Sequence, residues 1–417
     1  MSRPLIDLAA PPFCGHLHPI LGMAQRLSQD YDVRLLTTER GLARASSLDG
    51  VALLRGRDEE IERIVAGPRP TRSNPLALHA QLRANLRVME QFRDEAAALY
   101  RRRPPDLLIA DLTLPVLGPV AQASGILWWT SHPSPCVAEP WRGQGTPAYL
   151  GGLSPRSGWV GRIRDRLGHG LTRSFKRTVH ALHRREFAAL GFPRVYRPDG
   201  TEAVYSPECV LGLSWPELEF PRHWPPAFQL VGPVLYTPPA PEREPPFTAG
   251  KRHVLVTFGT HLGWLKNRAA EAVDRAAALL PEVTFHFSDG CPEGRDTVGV
   301  NRENFRRVAY VPYDRHLSRY DLVVHHGGTG VLHWCLRHGK PAVVFPVDFD
   351  QFDYAARLVH AGLARPLPRL VDLAATVAAA LEDEALRRRC EAFGSAAAVA
   401  IPATEHIAEM VHAHLRR

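Results

Sequence analysis

Twice along this chain an apolar run of strand length ends in a small-residue turn, passes into a helix-like segment and meets another apolar run. The first unit opens with a strand at 4–12. A tight turn at Gly15 and His16 follows, then a helix with apolar spacing at Ile20, Leu21, Met23, Ala24 and Leu27, then a strand at 31–38. Strand, helix and strand within about forty residues is a βαβ crossover, which demands a parallel sheet covered by helices. The pattern recurs with a helix-like segment at 74–102, the strand PDLLIADL, a helix at about 114–124 and the strand ILWWTS. Further on, HVLVTFGT, a helix at 267–280, VTFHFSDG, DLVVHH and PAVVFPV form a second series. The expected class is α/β, with two doubly wound Rossmann-like domains.

Length agrees, since 417 residues at roughly 100–200 per domain make two. The segment YTPPAPEREPPF carries five prolines in twelve positions and continues neither a helix nor a central strand. The expected division is therefore 1–235, a linker at 236–247, a second domain at 248–400, and a C-terminal helix at 401–417 packing back on the first domain. An apolar content of 45 % with 23 % charged residues excludes a disordered chain, a collagen and a coiled coil. No apolar run reaches the ~18–20 residues of a membrane span, and MSRPLIDLAAPPFCG lacks the long apolar core of a secretory signal, so a cytoplasmic protein is expected. Six scattered cysteines without a CxxC pair argue against a disulfide framework or a thiolate zinc site.

The net charge of +8 is compatible with nucleic acid, an anionic membrane surface, a phosphorylated substrate or a high-GC genome. Part of it is concentrated. Arg156, Arg162, Arg164, Arg166, Arg173, Lys176, Arg177, Arg184 and Arg185 stand against Asp165 and Glu186, interleaved with Trp159, Val160, Ile163, Leu167, Leu171, Phe175, Val179 and Leu182 near helical spacing. This is a basic amphipathic helix. Either its apolar face lies on the core, or it gives the chain a peripheral contact with an anionic membrane through 156–185.

In a doubly wound sheet, ligands bind beyond the carboxyl ends of the strands, where helix N-termini present N–H donors to anions. Gly15-His16, Asp111, Gly259-Thr260 and His326-Gly327-Gly328 all follow strands. The stretch LVVHHGGTGVLHWCLRHGKPAVVFP is the most informative, because a glycine-rich turn after a strand exposes successive N–H groups that suit a diphosphate. Some twenty residues on, Asp350 and Gln351 set a carboxylate beside an amide, a pair able to bind vicinal sugar hydroxyls.

The HGGxG turn, the Pro-flanked strand after it and the DQ pair resemble the donor signature of inverting nucleotide-sugar glycosyltransferases. GHLHPILGMAQRL is similar to that family's N-terminal GHxxPxLxLAxxL segment, and VLVTFGT to the strand that opens its donor domain. Elements of the likeness run from residue 13 to about 370, and FPRHWPPAFQLVGPV with FDQ is most reminiscent of the bacterial zeaxanthin glucosyltransferase branch. The resemblance implies the GT-B fold, with acceptor on the first domain and nucleotide sugar on the second. It assigns the general base to His16 and its orienting carboxylate to Asp111. An imidazole held in one tautomer suits removal of a hydroxyl proton, and His18 is the competing base. The resemblance further assigns diphosphate contacts to Thr260, His326, Gly327, Gly328 and Gly330, sugar contacts to Asp350 and Gln351, and base stacking to Tyr310. The plain alternatives are a turn histidine at His16, a helix cap at Thr260 and a core aromatic at Tyr310.

Three positions depart from the family pattern. Val331 stands where a hydroxyl residue is usual, Trp334 where an acid binds ribose, and Tyr313 where a glutamine lies near the base. The choice between UDP and dTDP is therefore open. No metal is expected, and Asp348 to Asp350 are read as part of the sugar loop. The implied activity is transfer of a hexose from a UDP- or dTDP-sugar to a hydroxyl of a lipophilic small molecule, such as a natural-product aglycone, a carotenoid or a lipid. Trp128, Trp129, Trp141 and Trp159 are candidates for an apolar acceptor wall. The alternative is a catalytically idle homologue that assists a partner enzyme. An epimerase is disfavoured by the His16-Asp111 pair, and a nucleic-acid partner by the confinement of the basic cluster to one helical segment.

Overall fold

The computed structural model describes residues 3–45, 48–65, 75–240, 244–260, 262–294 and 302–416. The chain divides into two compact units: residues up to Tyr236 with Ile401–Arg417, and Thr237–Ala400. Part of the proline-rich stretch, 241–243, lies outside the described residues.

The first unit holds strands β1 (Leu5–Ala9), β2 (Asp32–Thr37), β3 (Gly50–Ala52), β4 (Leu107–Asp111), β5 (Leu127–His132), β6 (Val210–Gly212) and β7 (Phe228–Leu230). They form one parallel sheet in the order β3-β2-β1-β4-β5-β6-β7. Helices α1 (Cys14–Leu27), α2 (Glu39–Ala43), α3 (Asp58–Val65), α4 (Pro75–Tyr100), α5 (Leu117–Ala123), α6 (Gly158–Leu182) and α7 (Arg184–Ala189) connect and cover it. The second unit holds β8 (Arg252–Thr257), β9 (Val283–Ser288), β10 (Phe305–Val308), β11 (Leu322–His325), β12 (Ala342–Val344) and β13 (Ala364–Pro366), parallel in the order β10-β9-β8-β11-β12-β13. Its helices are α8 (Gly263–Leu279), α9 (Tyr313–His316), α10 (Thr329–Arg337), α11 (Gln351–His360), α12 (Leu373–Leu381) and α13 (Glu384–Val399). The last helix, α14 (Ala403–Leu415), belongs to the first unit.

The central strands LLIAD and LVVH are buried along their whole length because helices cover both faces of each sheet. Asp7 in the middle of β1 is tolerable only because Arg34, its neighbour on β2, donates two hydrogen bonds to it at 2.8 and 2.7 Å. Helix α14 buries Ile407 and Val411 in the cluster that also holds Leu17, Ile20 and Met23 of α1. Each such aliphatic side chain contributes roughly 1.5–3 kcal/mol on burial.

Two local expectations are corrected. Gly15 and His16 do not form a turn before the helix; α1 starts at Cys14 and both lie in its first turn, with the His16 and Leu17 N–H groups donating to Phe13 O at 2.9 and 2.7 Å. The apolar row of α6 does not lie on the core. Trp159, Ile163, Leu167, Leu171, Phe175 and Leu182 are exposed, and the helix rests on its domain through Gly161, Gly168, His169 and Thr172. A β-carbon at Gly168 would stand 2.7 Å from Leu150 and Pro147, so close approach by glycine replaces apolar packing there. On the same inward side Lys176 bonds Glu139 at 2.7 Å and Glu202 at 2.5 Å.

Candidate active site

In both sheets the strand order reverses beside the first strand, between β1 and β4 and between β8 and β11, and the crevice at such a switch point is where this architecture binds ligands. His16 and Asp111 stand at the first of these places and Thr260 and His326 to Gly330 at the second, whereas Tyr310 follows β10 at the sheet edge and Asp350 and Gln351 follow β12.

In the first domain, Asp111 ends β4 and is buried, while His16 projects from the first turn of α1 and is partly exposed. His16 Nδ1 lies 3.0 Å from the Asp111 carboxylate. The Thr113 N–H donates to Asp111 Oδ1 at 2.9 Å and its hydroxyl does so as well, so the carboxylate is held in place from two sides. With the Nδ1 proton shared with Asp111, the basic lone pair of the imidazole resides on Nε2. His18, the competing base, packs against Tyr236 with ring centroids 5.2 Å apart and tilted by 49°, and burial, aided by Arg44, pushes its pKa down to about 4. It is the poorer proton acceptor.

A third histidine, His132 at the end of β5, went unnoticed in the sequence. It is fully buried against Tyr205 and Phe228, with ring centroids at 5.1 and 5.6 Å, and burial pushes its pKa down to about 3. Its only signal was its place at a strand end. A cavity beyond it is lined by Trp141, Tyr205, Phe228, Pro225, Glu139 and Glu202. Burial opposes the charge on Lys176, but the flanking Glu202 and Glu139 carboxylates outweigh it and hold the ammonium protonated. The four candidate tryptophans do not come together. Trp128 and Trp129 are buried in separate core clusters, Trp141 lines the cavity and Trp159 is exposed on α6.

In the second domain the turn from β11 to α10 is built by backbone. His325, fully buried, accepts the Gly327 N–H on Nδ1 at 2.9 Å, and Gly327 has φ +91°, a conformation that side-chain-bearing residues rarely adopt. A β-carbon on Gly328 would stand 2.3 Å from His326 Nε2. The His326 ring also lies against Gly259, after β8. Gly328 caps α10 without a side-chain hydrogen bond, and the first-turn N–H groups of Thr329, Gly330 and Val331 lack intrahelical acceptors, the feature that suits a helix N-terminus to an anion. The Val331 side chain is buried in the core cluster with Leu255 and Val323, so this position supplies a backbone donor only.

Thr260 is exposed and precedes α8, whose cap position is Leu262, so the helix-cap alternative does not hold. Tyr310 and Tyr313 have ring centroids 6.3 Å apart, the Tyr313 and Thr257 hydroxyls lie at 3.3 Å, and Trp334 stacks on His338 at 5.5 Å. The three departures from the family pattern are thus occupied by packed side chains. Gln351 begins α11, and its side-chain oxygen accepts the N–H groups of Val347 and Asp348 at 2.9 and 3.0 Å, closing the loop that carries Asp350. Phe349 in this loop has φ +52° and an exposed ring, a strained conformation with no signal in the sequence. Among the described residues, no group of three or more His, Cys, Asp or Glu side chains is placed to hold a metal ion.

Residues 270–413 match the family described as "Erythromycin biosynthesis protein CIII-like, C-terminal domain". Zeaxanthin glucosyltransferase of Pseudescherichia vulneris is 28 % identical over 92 % of this chain and 91 % of its own length. The chain has the GT-B fold, and its sequence is similar to those of glycosyltransferases over most of its length. The 4'-demethylrebeccamycin synthase of Lentzea aerocolonigenes is 26 % identical to it over 85 % of each chain. Among solved structures, the kitacinnamycin glycosyltransferase superposes with a TM-score of 0.74 at 21 % identity, covering both chains completely. A glycosyltransferase of Streptomyces sp. SF2575, crystallised with thymidine diphosphate, gives 0.66 at 19 % over 98 % of this chain and 99 % of its own. No helix among the described residues is long and apolar enough to cross a membrane.

Proposed function

We propose that this chain is a glycosyltransferase that moves a hexose, with inversion, from a nucleoside diphosphate sugar to a hydroxyl of a lipophilic small molecule. The observation that carries the reading is the His16–Asp111 pair at 3.0 Å, at the switch point of the first sheet. His16 Nε2 removes the acceptor hydroxyl proton as its oxygen attacks the anomeric carbon. The bond from that carbon to the diphosphate oxygen breaks, and the electron pair leaves with the diphosphate. Asp111 stabilises the imidazolium formed. Attack opposite the leaving group turns an α-linked donor into a β-linked product.

The second domain holds the donor in this reading. The uncapped N-terminus of α10, Gly327, Gly328, Gly330 and His326 take the growing negative charge of the diphosphate, so no step is routed through a metal ion. Thr260 adds a hydroxyl, Asp350 and the amide nitrogen of Gln351 meet the sugar, and Tyr310 stacks on the base. The donor is a UDP- or dTDP-sugar, the second supported by the thymidine diphosphate bound to the Streptomyces protein. The acceptor class is supported by the carotenoid and rebeccamycin-type products named for the two relatives.

A calorimetric panel of nucleotide sugars tests the donor, and turnover of the tightest binder with lipophilic alcohols tests the reaction. Binding without turnover by the chain on its own would favour the alternative of an auxiliary homologue.

A further inference from the structure

Helix α6 is inverted relative to an ordinary surface helix. Trp159, Ile163, Leu167 and Leu171 recur every four residues and Phe175 continues the row, so they form one slowly winding stripe over adjacent turns. The stripe faces solvent: Leu167 is 70 % and Leu171 63 % exposed. Such a row is contiguous along a helix of 25 residues, about 37 Å long. It is rimmed by exposed Arg162, Arg166 and Arg177, with exposed Arg156 before it and Arg184 and Arg185 after it. Glu186, just past the end of α6, is the one exposed acid of the 156–186 segment. Asp165, the one acid of α6, lies 2.7 Å from Arg164, while Glu139 and Glu202 are engaged on the inward side by Arg173 and Lys176.

We infer that α6 is a peripheral membrane anchor that lays its apolar stripe into the interface of an anionic bilayer while the arginine rim engages the phosphate headgroups. Apolar insertion and cation attraction together are what such a surface selects, and an indole at one end of the helix suits the headgroup boundary. A second copy of the chain is the poorer occupant, because a two-fold contact through this stripe sets arginine rim against arginine rim. The inference is independent of the proposed reaction, since no α6 residue belongs to the site assigned to it.

Co-sedimentation of the full chain with vesicles tests it. Vesicles of phosphatidylcholine with about 30 % phosphatidylglycerol are expected to bind the protein, and phosphatidylcholine alone to bind it at least about tenfold less. Raising the salt from 0.1 to 0.5 M should release it. Leu167→Glu with Leu171→Glu should abolish binding, and Arg162→Ser with Arg166→Ser should weaken it several-fold. All four positions are exposed, and an unchanged melting temperature confirms that each variant is folded. Failure to bind anionic vesicles, binding indifferent to lipid charge, or dimerisation of the wild type that the Leu167→Glu and Leu171→Glu variant disrupts would each overturn the inference.

Discussion

The two domains share a strand order and differ in what they place at the reversal. At the first, side chains do the work: a histidine on a helix start and a carboxylate on a strand end, 3.0 Å apart. At the second, the backbone dominates, with Gly327 at φ +91°, Gly328 against His326 and an uncapped helix of nine residues. A proton must be taken by a group that titrates near neutrality, whereas a diphosphate is held well by many fixed N–H dipoles. In the proposed reaction one scaffold serves both tasks, and the division predicts separable defects.

The largest effect is expected at His16. His16→Ala should lower kcat about 10³-fold, within the range of general-base catalysis, while calorimetry finds donor affinity unchanged. A parallel loss of donor binding would break the division of labour. Asp111→Asn keeps the shape but presents an amide where a carboxylate stabilises the imidazolium, so a kcat loss of about 10² is expected, again with donor affinity intact. Gly327→Ala should do the converse. Forcing a β-carbon into a left-handed conformation costs about 1–2 kcal/mol, so nucleotide should bind roughly tenfold more weakly while acceptor affinity stays as it was. Equal affinity for nucleotide in that variant would argue against the β11–α10 turn as the anion site.

The last effect falls on stability rather than on catalysis or binding and is common to both domains. His132 and His325 are buried, and burial pushes both pKa values to about 3, below the ordinary 6.5. Between pH 6.5 and 3 the unfolded chain binds protons that the folded chain refuses, so stability is full above pH 6.5 and falls as pH drops. At pH 5 the loss is about 2 kcal/mol per histidine. Melting temperature followed from pH 7 to pH 5 checks this, and His132→Phe or His325→Phe should flatten the slope. A pH-independent melting temperature would contradict it.

Much of the scaffold was legible because apolar strands alternating with helical periods admit few arrangements, and parallel sheets bury their strands on both faces. His16, Asp111 and the glycine turn were legible because each follows or ends a strand. Other features were not. His132 has no local pattern, and its role as a buried neutral neighbour exists only once β5 lies beside β4. Gln351 read as a sugar ligand, and that its side-chain oxygen also closes the 347–351 loop had no signal in the sequence. The tryptophans read as one wall, yet neighbours in sequence on a strand point to opposite sides, which sends Trp128 and Trp129 into different cores.

By itself the sequence determined the α/β class, the two βα series, the basic amphipathic character of α6 and the residue types at the strand ends, because these follow from local periodicity and turn chemistry. Only the tertiary structure decided that His16 meets Asp111 across 95 positions of chain, that His18 is held neutral, and that α6 turns its apolar stripe outward. Periodicity shows that a helix has an apolar side. Which side meets the protein depends on the glycines that permit close approach and on the carboxylates that draw Arg173 and Lys176 inward, and those partners are distant in sequence.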